Sequence, residues 1–388
     1  MNETWWINAA QLDDDQKVIV QLPLDRNHLV TGPPGSGKTN LLLLRGTHVV
    51  RAGQSNIVLL AFNRTLQEFI RTGGGKYAFS ADKVKTSTRW GFDLLWQYGR
   101  TIACPNDFEE QRQLLIEEIG QLVDRQKLRN VFEVLLLDEA QDYWPAEIEL
   151  FGRLARRIFA VADSRQKIYA GDDSLGAIQA LPSELHELKF HYRNGLRICQ
   201  LADGIAKDKS TNRPLAETCN YDEQARPSTA DVHSGKDIDQ QTARIVKKLE
   251  VQRKAYPNEL LGVICPGTGE LMQVWRGLSV SSIGQDAILQ SADDYSPFGA
   301  KKICVCTMHS AKGLEFRALH IAGCDRLKKF PQQRNLVFTG VTRAKTSLDV
   351  YFHESMPAFF EQAFAELLPR PDPPKLEDLF GGSTEEDE

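Results

Sequence analysis

Short apolar runs rich in valine, leucine and isoleucine alternate with amphipathic stretches along the first half of the chain. The runs are NHLVTG, SNIVLLAF, VFEVLLLDE and RQKIYAGD, and helical patterns such as KTNLLLLRGTHVVR and RTLQEFIRTG lie between them. This alternation is typical of a parallel sheet covered by helices. The first half of the chain is therefore predicted to have an α/β fold.

The same pattern restarts after Pro182, with predicted strands at ELKFHYR, ELLGVICP, KKICVCTMHS, ALHIAGC and SLDVYF. Amphipathic stretches such as DIDQQTARIVKKLEVQRK and RNLVFTGVTRAK separate them. We therefore expect two α/β domains, at residues 1–182 and 183–368, with a small helical insertion at about residues 100–130 of the first. From residue 369 to 388, proline, glycine and acidic residues replace the periodicity, which predicts a disordered acidic tail.

Composition narrows the class of protein. Of 388 residues, 41% are hydrophobic and 26% are charged. No apolar run reaches the roughly 20 residues that cross a bilayer, and the N-terminus lacks a secretory pattern. Seven scattered cysteines without CxxC pairs favour reduced thiols over a disulfide framework or a zinc site. A cytoplasmic protein without a membrane partner is expected.

The net charge of −5 does not by itself indicate a nucleic-acid-binding protein. The last 18 residues carry −6, which leaves residues 1–370 at +1. Any surface for nucleic acid would therefore have to be local. Besides a solvated end, the tail has two further interpretations: KLEDLF is a short peptide that recruits a partner, or the carboxylates of the tail cover the path of a nucleic acid.

The stretch GPPGSGKT, residues 32–39, matches the phosphate-loop pattern G-x-x-x-x-G-K-[ST] between an apolar run and a helical pattern. Its glycines let backbone N–H groups turn toward a phosphate at a helix N-terminus. Lys38 would reach the β- and γ-phosphates and Thr39 would hold Mg²⁺. A glycine-rich turn with a solvent-facing lysine is the alternative. The predicted nucleotide-binding residues of this loop are Gly32, Gly35, Ser36, Gly37, Lys38 and Thr39.

The stretch LLLDEAQDY places acids directly after an apolar run. Ligands of such folds lie outside the carboxyl ends of the strands, where Asp138 and Glu139 fall. Asp138 is predicted to hold Mg²⁺, and Glu139 to position or deprotonate the attacking water. The alternative is a helix N-terminus with acids near its dipole.

These motifs resemble those of UvrD/Rep-type superfamily 1 DNA helicases, in the family's order, from about residue 12 to 350. LDDDQKVIV looks like the Q motif, AFNRTLQEF motif Ia, KTSTRW motif Ib and DEAQD motif II. AGDDSLGAI occupies motif III, FHYRN motif IV, TMHSAKGLEF motif V and FTGVTRAK motif VI. The resemblance implies two RecA-like domains that bind ATP and Mg²⁺ between them and single-stranded DNA as partner.

The resemblance also implies roles for single residues. Gln16 would read adenine and Glu315 would approach the ribose. Arg193 and Arg343 would be arginine fingers from the second domain, although without the resemblance each would be read as a salt-bridging arginine. Gln141 and Asp172 complete the expected nucleotide site. The expected DNA contacts are Phe62, Asn63, Thr86, Trp90, Thr307 and His309.

Two departures from the family pattern leave the function open. Leu175 stands where motif III has a glutamine, and GAIQALPSEL has no base-stacking aromatic. Thr88 replaces the usual histidine of motif Ib, so Trp90 is either a substitute stacking group or a core residue. The first hypothesis is a single-stranded DNA translocase or helicase, 3′ to 5′ by resemblance, in DNA repair or bacterial defence with a partner such as a nuclease. The alternative is a nucleotide-gated DNA-binding subunit with little unwinding. Duplex DNA or RNA is a weaker expectation for the substrate.

Overall fold

The structure is a computed structural model that describes residues 12–62, 67, 78–163, 174–181, 183–206, 213–290, 301–327 and 331–367. Several predictions fall outside these residues: the roles of Asn63 and Asp172, the side chain of Leu175, the strand RQKIYAGD, most of the helix RTLQEFIRTG, and the acidic tail. None of the helices in the described ranges has the length and apolarity needed to span a membrane.

The first sheet contains six parallel strands in the order β3-β2-β4-β5-β1-β6. The strands are β1 (Asn27–Thr31), β2 (Ile57–Ala61), β3 (Val84–Thr86), β4 (Phe132–Leu137), β5 (Ala155–Ala162) and β6 (Ser183–Glu187). The helices of this half are α1 (Asp14–Val20), α2 (Lys38–Arg51), α3 (Ser87–Gln97), α4 (Phe108–Gln126), α5 (Pro145–Leu154) and α6 (Ser174–Ala180).

Both faces of the first sheet are covered, which explains why β4 is apolar at consecutive positions. Leu136 packs in the core on the α2 side, whereas Leu135 and Leu137 pack in a second core that contains residues of α3 and α4. Successive side chains of a strand point to opposite faces, so a strand buried on both sides has no polar alternation. The predicted α/β class is confirmed.

The second sheet also contains six parallel strands, in the order β7-β12-β11-β8-β10-β9. Its strands are β7 (Thr229–His233), β8 (Leu261–Cys265), β9 (Ala287–Gln290), β10 (Ile303–Thr307), β11 (Phe316–Ile321) and β12 (Ala344–Tyr351). Its helices are α7 (Leu196–Ile205), α8 (Ile238–Ala255), α9 (Thr268–Ser279), α10 (Pro331–Val341) and α11 (Ala358–Leu367).

The segment around residues 180–193 differs from the prediction. ELKFHYR is not a strand: β6 precedes it, and pairs along its whole length with β1 as the edge of the first sheet. The sequence SELHE of β6 is polar and half-exposed, so it lacks the apolar run of a central strand. The first sheet thus continues past the boundary predicted at residue 182. The strand after β4 is ARRIFAVA, which the sequence analysis also missed.

The region predicted as a helical insertion contains α4, which packs against α3 and α5 beside the first sheet. Asp107 begins this helix, because its side chain accepts hydrogen bonds from the backbone N–H groups of Glu109 and Glu110. Leu115, Ile119 and Leu122 occupy one face and are buried. This part of the chain is therefore integrated into the core of the first half.

A buried ionic cluster joins four elements of the second half: β7, α8, β11 and β12. Asp349 on β12 is 2% exposed, and its Oδ1 lies 2.7 Å from His233 Nε2. Lys248 contacts the same oxygen, and His320 Nδ1 lies 3.7 Å from Oδ2. Burial opposes ionisation, but the hydrogen bond from His233 and the nearby cations lower the pKa of Asp349 to about 2.

We expect this cluster to make stability depend on pH at acid values. The folded-state pKa of Asp349 lies below its ordinary value of 3.8, so its contribution is complete above that pH and is lost as the pH falls toward about 2. Asp349→Asn should lower the free energy of unfolding by about 3 kcal/mol near neutral pH, with the deficit shrinking below about pH 4. Urea unfolding from pH 7 to 2 measures this.

Glu149→Gln is the matched control, because Glu149 is exposed on α5. It should change the free energy of unfolding by less than about 0.5 kcal/mol. A deficit for Asp349→Asn that stayed constant down to pH 2 would contradict the assignment of the low pKa to Asp349.

Candidate active site

The phosphate-loop sequence lies between β1 and α2, as its pattern predicts. Gly35 and Gly37 have φ angles of +81° and +84°, a region that residues with a Cβ atom rarely adopt. Gly37 directly precedes α2, so the backbone N–H groups of the first helical turn face the same space as the loop. The local geometry therefore has the form of an anion-binding helix N-terminus.

Lys38 points into the loop. Its Nζ donates to the carbonyl oxygens of Gly32 at 2.7 Å and Pro33 at 2.8 Å, and lies 3.6 Å from Asp163 Oδ2. Burial lowers the pKa of Lys38, and the charges of Asp163 and Glu139 oppose that shift. The alternative of a solvent-facing lysine does not describe this arrangement.

The segment that carries Arg193 packs directly on the phosphate loop. A Cβ atom at Gly35 would lie only 2.6 Å from the Cβ of Arg193. The backbone N–H of Tyr192 donates to the Gly35 carbonyl oxygen at 3.1 Å. Glycine is therefore required at position 35 for close approach as well as for its backbone angles.

Asp138 follows β4 and lies against the start of α2. The Thr39 hydroxyl hydrogen-bonds to its carboxylate, and the Glu139 N–H donates to Oδ1 at 3.0 Å. Burial and the neighbouring Glu139 carboxylate raise the pKa of Asp138 to about 7. The second oxygen, Oδ2, is buried and has no hydrogen-bond partner among the described residues. The Thr39 hydroxyl and the Asp138 carboxylate both offer oxygen ligands, and Oδ2 of Asp138 has no described hydrogen-bond partner that would compete for it. Such ligands fit a hard divalent cation such as Mg²⁺.

Glu139 is held in the left-handed region at φ +50°, a conformation that costs free energy for a residue other than glycine. Its Oε2 accepts from Gln141 Nε2 at 2.6 Å and lies 3.8 Å from Lys312 Nζ. Burial opposes ionisation, but Lys312 and Arg343 outweigh it and lower the pKa of Glu139. Glu139 therefore remains ionised, as a base requires, beside an Asp138 that takes up a proton readily.

Gln141 connects two acidic positions of the site. Its Nε2 bonds to Glu139, and its Oε1 accepts from the backbone N–H of Asp163 at 2.9 Å. The side chain is thus held at both ends between the residues after β4 and those after β5.

Two arginines face these acids from the other side of a cleft of about 480 Å³ that is open to solvent. Arg343 precedes β12, is 2% exposed, and donates from Nε to the Thr339 carbonyl oxygen at 3.1 Å. Burial lowers its pKa to about 10, so it remains cationic at neutral pH. The cleft is lined by residues of both halves, including Lys38, Thr39, Asp138, Glu139, Arg193, Glu315 and Arg343.

Glu315 forms an ion pair with Arg193 and accepts from Lys345 Nζ at 2.9 Å. Burial alone would raise the pKa of Glu315, but these two cations lower it to about 2. In this state Glu315 neutralises Arg193. Movement of Arg193 toward a phosphate would therefore exchange one anionic partner for another.

Gln16 lies behind the phosphate loop. Its Oε1 accepts from the backbone N–H of Asp13 at 3.2 Å, which completes the cap of α1, and its Nε2 donates to the Ser36 carbonyl oxygen at 3.0 Å. The structure thus brings together Gln16, the phosphate loop, Asp138, Glu139, Gln141, Arg193, Glu315 and Arg343.

The described residues that were expected to bind DNA do not form a common site, unlike the residues of the cleft. Trp90 is 4% exposed and its ring contacts Phe132 and Phe151, so core packing, not base stacking, describes it. Phe62 is 3% exposed and contacts Tyr143 edge-on, which likewise leaves no face for a base. Of the two interpretations of Trp90, core packing is the one that the structure supports, and Phe62, which was expected near single-stranded DNA, is also a core residue in this conformation.

The remaining expected DNA contacts are polar. Thr86 caps α3, since its hydroxyl accepts from the Arg89 N–H at 3.2 Å. Thr307 Oγ1 accepts from the Ser310 N–H at 3.1 Å. His309 is exposed at the turn that follows β10.

Lys312 is a site residue that the sequence analysis missed. It is 1% exposed, and its Nζ contacts Asp142 Oδ2, so a residue beside the second sheet neutralises an acid beside the first. Arg112 of α4 contacts the same segment. It donates to the Asp142 carbonyl oxygen at 3.0 Å, and its guanidinium carbon lies 4.2 Å from the centre of the Trp144 ring. Asp142 is buried, and its pairing with Lys312 is visible only in the three-dimensional structure.

Comparison with known proteins agrees with this geometry. The model of the UvrD-like helicase C-terminal domain matches residues 302–351, and a model described as an AAA domain matches residues 16–172. These segments contain Lys312, Glu315 and Arg343 on one side of the cleft and the phosphate loop, Asp138 and Glu139 on the other. The resemblance of the chain to UvrD-type superfamily 1 helicases is therefore confirmed.

A curated relative of this chain is a "Probable DNA helicase" of Mycoplasma pneumoniae, 26% identical over 295 residues that cover 68% of this chain and 53% of that protein. The chain spans about half the length of the curated relative it matches. A solved structure, the C-terminal domain of a possible DNA helicase from a Lactobacillus, is 16% identical with a TM-score of 0.35, and covers 45% of this chain and 96% of that one.

The Lys312–Asp142 pair should contribute measurably to stability. Lys312→Met leaves a carboxylate buried without its cation, so we expect a loss of about 3–5 kcal/mol in the free energy of unfolding. Asp142→Asn in the same chain removes that uncompensated charge and should restore at least about half of the loss. Urea unfolding of wild type, both single variants and the double variant gives the coupling energy.

Lys247→Met is the matched control, because Lys247 is exposed on α8. Additive effects of the two single variants, with no coupling energy, would show that the ion pair does not join the two halves energetically.

Proposed function

We propose that this chain is an ATP-dependent motor that moves along single-stranded DNA. The observation that carries the proposal is the cleft in which the phosphate loop, Asp138 and Glu139 face Arg193 and Arg343. Phosphoryl transfer to water needs a phosphate cradle, a metal-binding acid, a water-positioning base and cations that neutralise the developing charge. The described residues supply a candidate for each.

In the proposed reaction, the loop amides and Lys38 bind the β- and γ-phosphates. Thr39 and Asp138 hold Mg²⁺, which supplies charge neutralisation at the phosphate oxygens. Glu139 accepts a proton from the attacking water, and the contacts of its Oε2 with Gln141 and Lys312 orient the carboxylate. Arg193 and Arg343 stabilise the negative charge that develops on the transferred group.

Movement would follow from exchange of ion-pair partners in the cleft. With nucleotide bound, the γ-phosphate competes with Glu315 for Arg193, which draws the two halves together; hydrolysis returns Arg193 to Glu315. Two halves that hold one strand with different affinity in each state step in one direction. Travel from 3′ to 5′, a role in DNA repair or bacterial defence, and a nuclease partner are the finer parts of this proposal, and they rest on the family resemblance.

A second candidate function is a nucleotide-gated DNA-binding subunit with little translocation. The observation that favours it is the burial of Trp90 and Phe62, the two aromatic rings expected to contact bases. Each stacked base is worth about 1–3 kcal/mol, so loss of these platforms weakens the grip on a moving strand.

Hydrolysis of ATP should be stimulated by single-stranded DNA and lost in two active-site variants. We expect Glu139→Gln to lower kcat by about 10²–10⁴-fold, because it removes the base. Arg343→Ala should lower kcat by about 10³–10⁵-fold, because it removes a cation from the transition state. Phosphate release is measured with and without single-stranded DNA, duplex DNA and RNA at one stated salt concentration.

Glu149→Gln and Lys247→Ala are the controls, since both residues are exposed and lie outside the cleft lining. Full activity of Glu139→Gln, or hydrolysis that nucleic acid leaves unchanged, would contradict the motor.

Displacement of streptavidin from biotinylated single strands separates the two candidate functions. A motor that travels 3′ to 5′ should clear streptavidin from the 5′ end in an ATP-dependent manner, and not from the 3′ end. The DNA-binding subunit should clear neither end, while its DNA affinity still changes between ATP and ADP. Clearance of the 3′ end alone would contradict the proposed direction.

A further inference from the structure

A cluster of one imidazole and two thiols lies just behind the segment that carries Arg193. The ligand atoms of His191, Cys199 and Cys219 all lie within 4.8 Å of one another. His191 forms an isolated parallel bridge with Cys219, and Cys199 lies in the first turns of α7. His191 and Cys199 are fully buried, whereas Cys219 is partly exposed.

The spacing of these atoms fits a tetrahedral metal site. His191 Nε2 lies 3.7 Å from Cys199 Sγ. With zinc bonds of about 2.3 Å to sulfur and about 2.0 Å to nitrogen, a tetrahedral angle sets the two ligand atoms about 3.5 Å apart. Both sulfurs also lie beside one backbone oxygen, that of Asn194, at 3.4 and 3.3 Å. The three ligand atoms therefore lie close enough together to bind one ion, and the partial exposure of Cys219 leaves access for a fourth ligand.

The charges around the thiols favour a cation. The thiols of Cys199 and Cys219 hydrogen-bond to each other. The other charges that act on the pair belong to Asp203 and Glu223, which are both acidic. A divalent ion that replaced the thiol protons would relieve this concentration of negative charge.

We propose that His191, Cys199 and Cys219 form a binding site for a thiophilic divalent metal ion of the zinc class. Binding releases the two thiol protons. The Leu215 carbonyl oxygen lies 2.9 Å from His191 Nε2, so ligation by this nitrogen also moves the ring proton to Nδ1. The sequence favoured unligated thiols because the ligands are far apart along the chain and contain no CxxC pair.

The metal would act as a structural clamp on the arginine-bearing segments. Asn194, between His191 and Cys199, donates from Nδ2 to the carbonyl oxygens of Thr342 at 2.8 Å and Ala344 at 2.5 Å. These two oxygens flank Arg343. A metal that fixes His191 to Cys199 therefore also fixes the backbone on either side of both cleft arginines. This consequence rests on the proposed function, whereas the metal site itself does not.

A second group of potential ligands, His28, Glu184 and His186, lacks these features. Arg26 donates to Glu184 Oε1 at 2.6 Å, so that carboxylate already has a cation. The Arg45 guanidinium is a second cation whose charge acts on His28. The electrostatics of this group oppose a further cation.

Cobalt is the probe for the proposed site, because thiolate ligands and tetrahedral geometry each give it a distinct absorption. The reduced full-length chain, titrated anaerobically with Co²⁺, should bind one ion with a thiolate-to-cobalt charge-transfer band and the intense visible bands of a tetrahedral site. Zn²⁺ should displace it. Cys219→Ser should weaken binding by at least about tenfold and abolish the charge transfer of one thiolate. Cys104→Ser and His28→Asn should change nothing.

A measurement on the unaltered chain covers the case in which a variant fails to fold. Zn²⁺ should slow alkylation of Cys199 and Cys219 by at least about tenfold, leave the exposed Cys104 unchanged, and raise the unfolding temperature of wild type but not of Cys219→Ser. Any of three results would overturn the proposal. These are equal alkylation with and without Zn²⁺, cobalt spectra without thiolate charge transfer, and a Cys199–Cys219 disulfide that persists in the presence of reductant. All these readouts are taken without ATP or DNA, so they fail or succeed independently of the motor.

Discussion

The structure depends on mutual neutralisation of charges that are buried in one cleft. Asp138, Glu139, Asp142 and Glu315 are all largely removed from water, and a buried carboxylate without a partner is costly. The cations that compensate Glu139 and Asp142 include Lys312, which comes from the other half of the chain. The first half alone would bury Glu139 and Asp142 without the Lys312 cation, so the charges of the site are compensated only when both halves are present.

That constraint makes the site sensitive to a ligand of high negative charge. Arg193 is satisfied by Glu315, and Asp138 has a raised pKa beside Glu139, so each group is held in a state that a polyphosphate with its cation would change. A bound anion would compete with Glu315 for Arg193, and a bound divalent cation would favour the ionised form of Asp138. The same network that joins the two halves therefore supplies the groups that would respond to a nucleotide.

The sequence predicts those parts of the fold and the site that depend on local pattern. The phosphate loop is specified by glycines at left-handed positions between a strand and a helix, and β4 by an apolar run that ends in acids. The edge strand β6 escapes prediction, because SELHE is half-exposed and its pairing with β1 is fixed only by the tertiary fold. Trp90 has the same ambiguity, since an aromatic residue on a helix packs or stacks according to what covers it. The Lys312–Asp142 pair joins residues far apart in sequence, and no local pattern encodes that contact.

The scaffold behind the arginines shows how a short chain holds the cationic side of the cleft rigid. Arg193 lies in a segment without regular secondary structure, so its position depends on neighbours rather than on a ladder of hydrogen bonds. The close approach at Gly35 fixes it from the first half, and the two hydrogen bonds of Asn194 fix it to the backbone around Arg343. His191 and Cys199, which are buried on either side of this segment in the sequence, contact each other in the core. Because a misplaced arginine loses most of its effect on a transition state, these supports matter as much for the reaction as the guanidinium groups themselves.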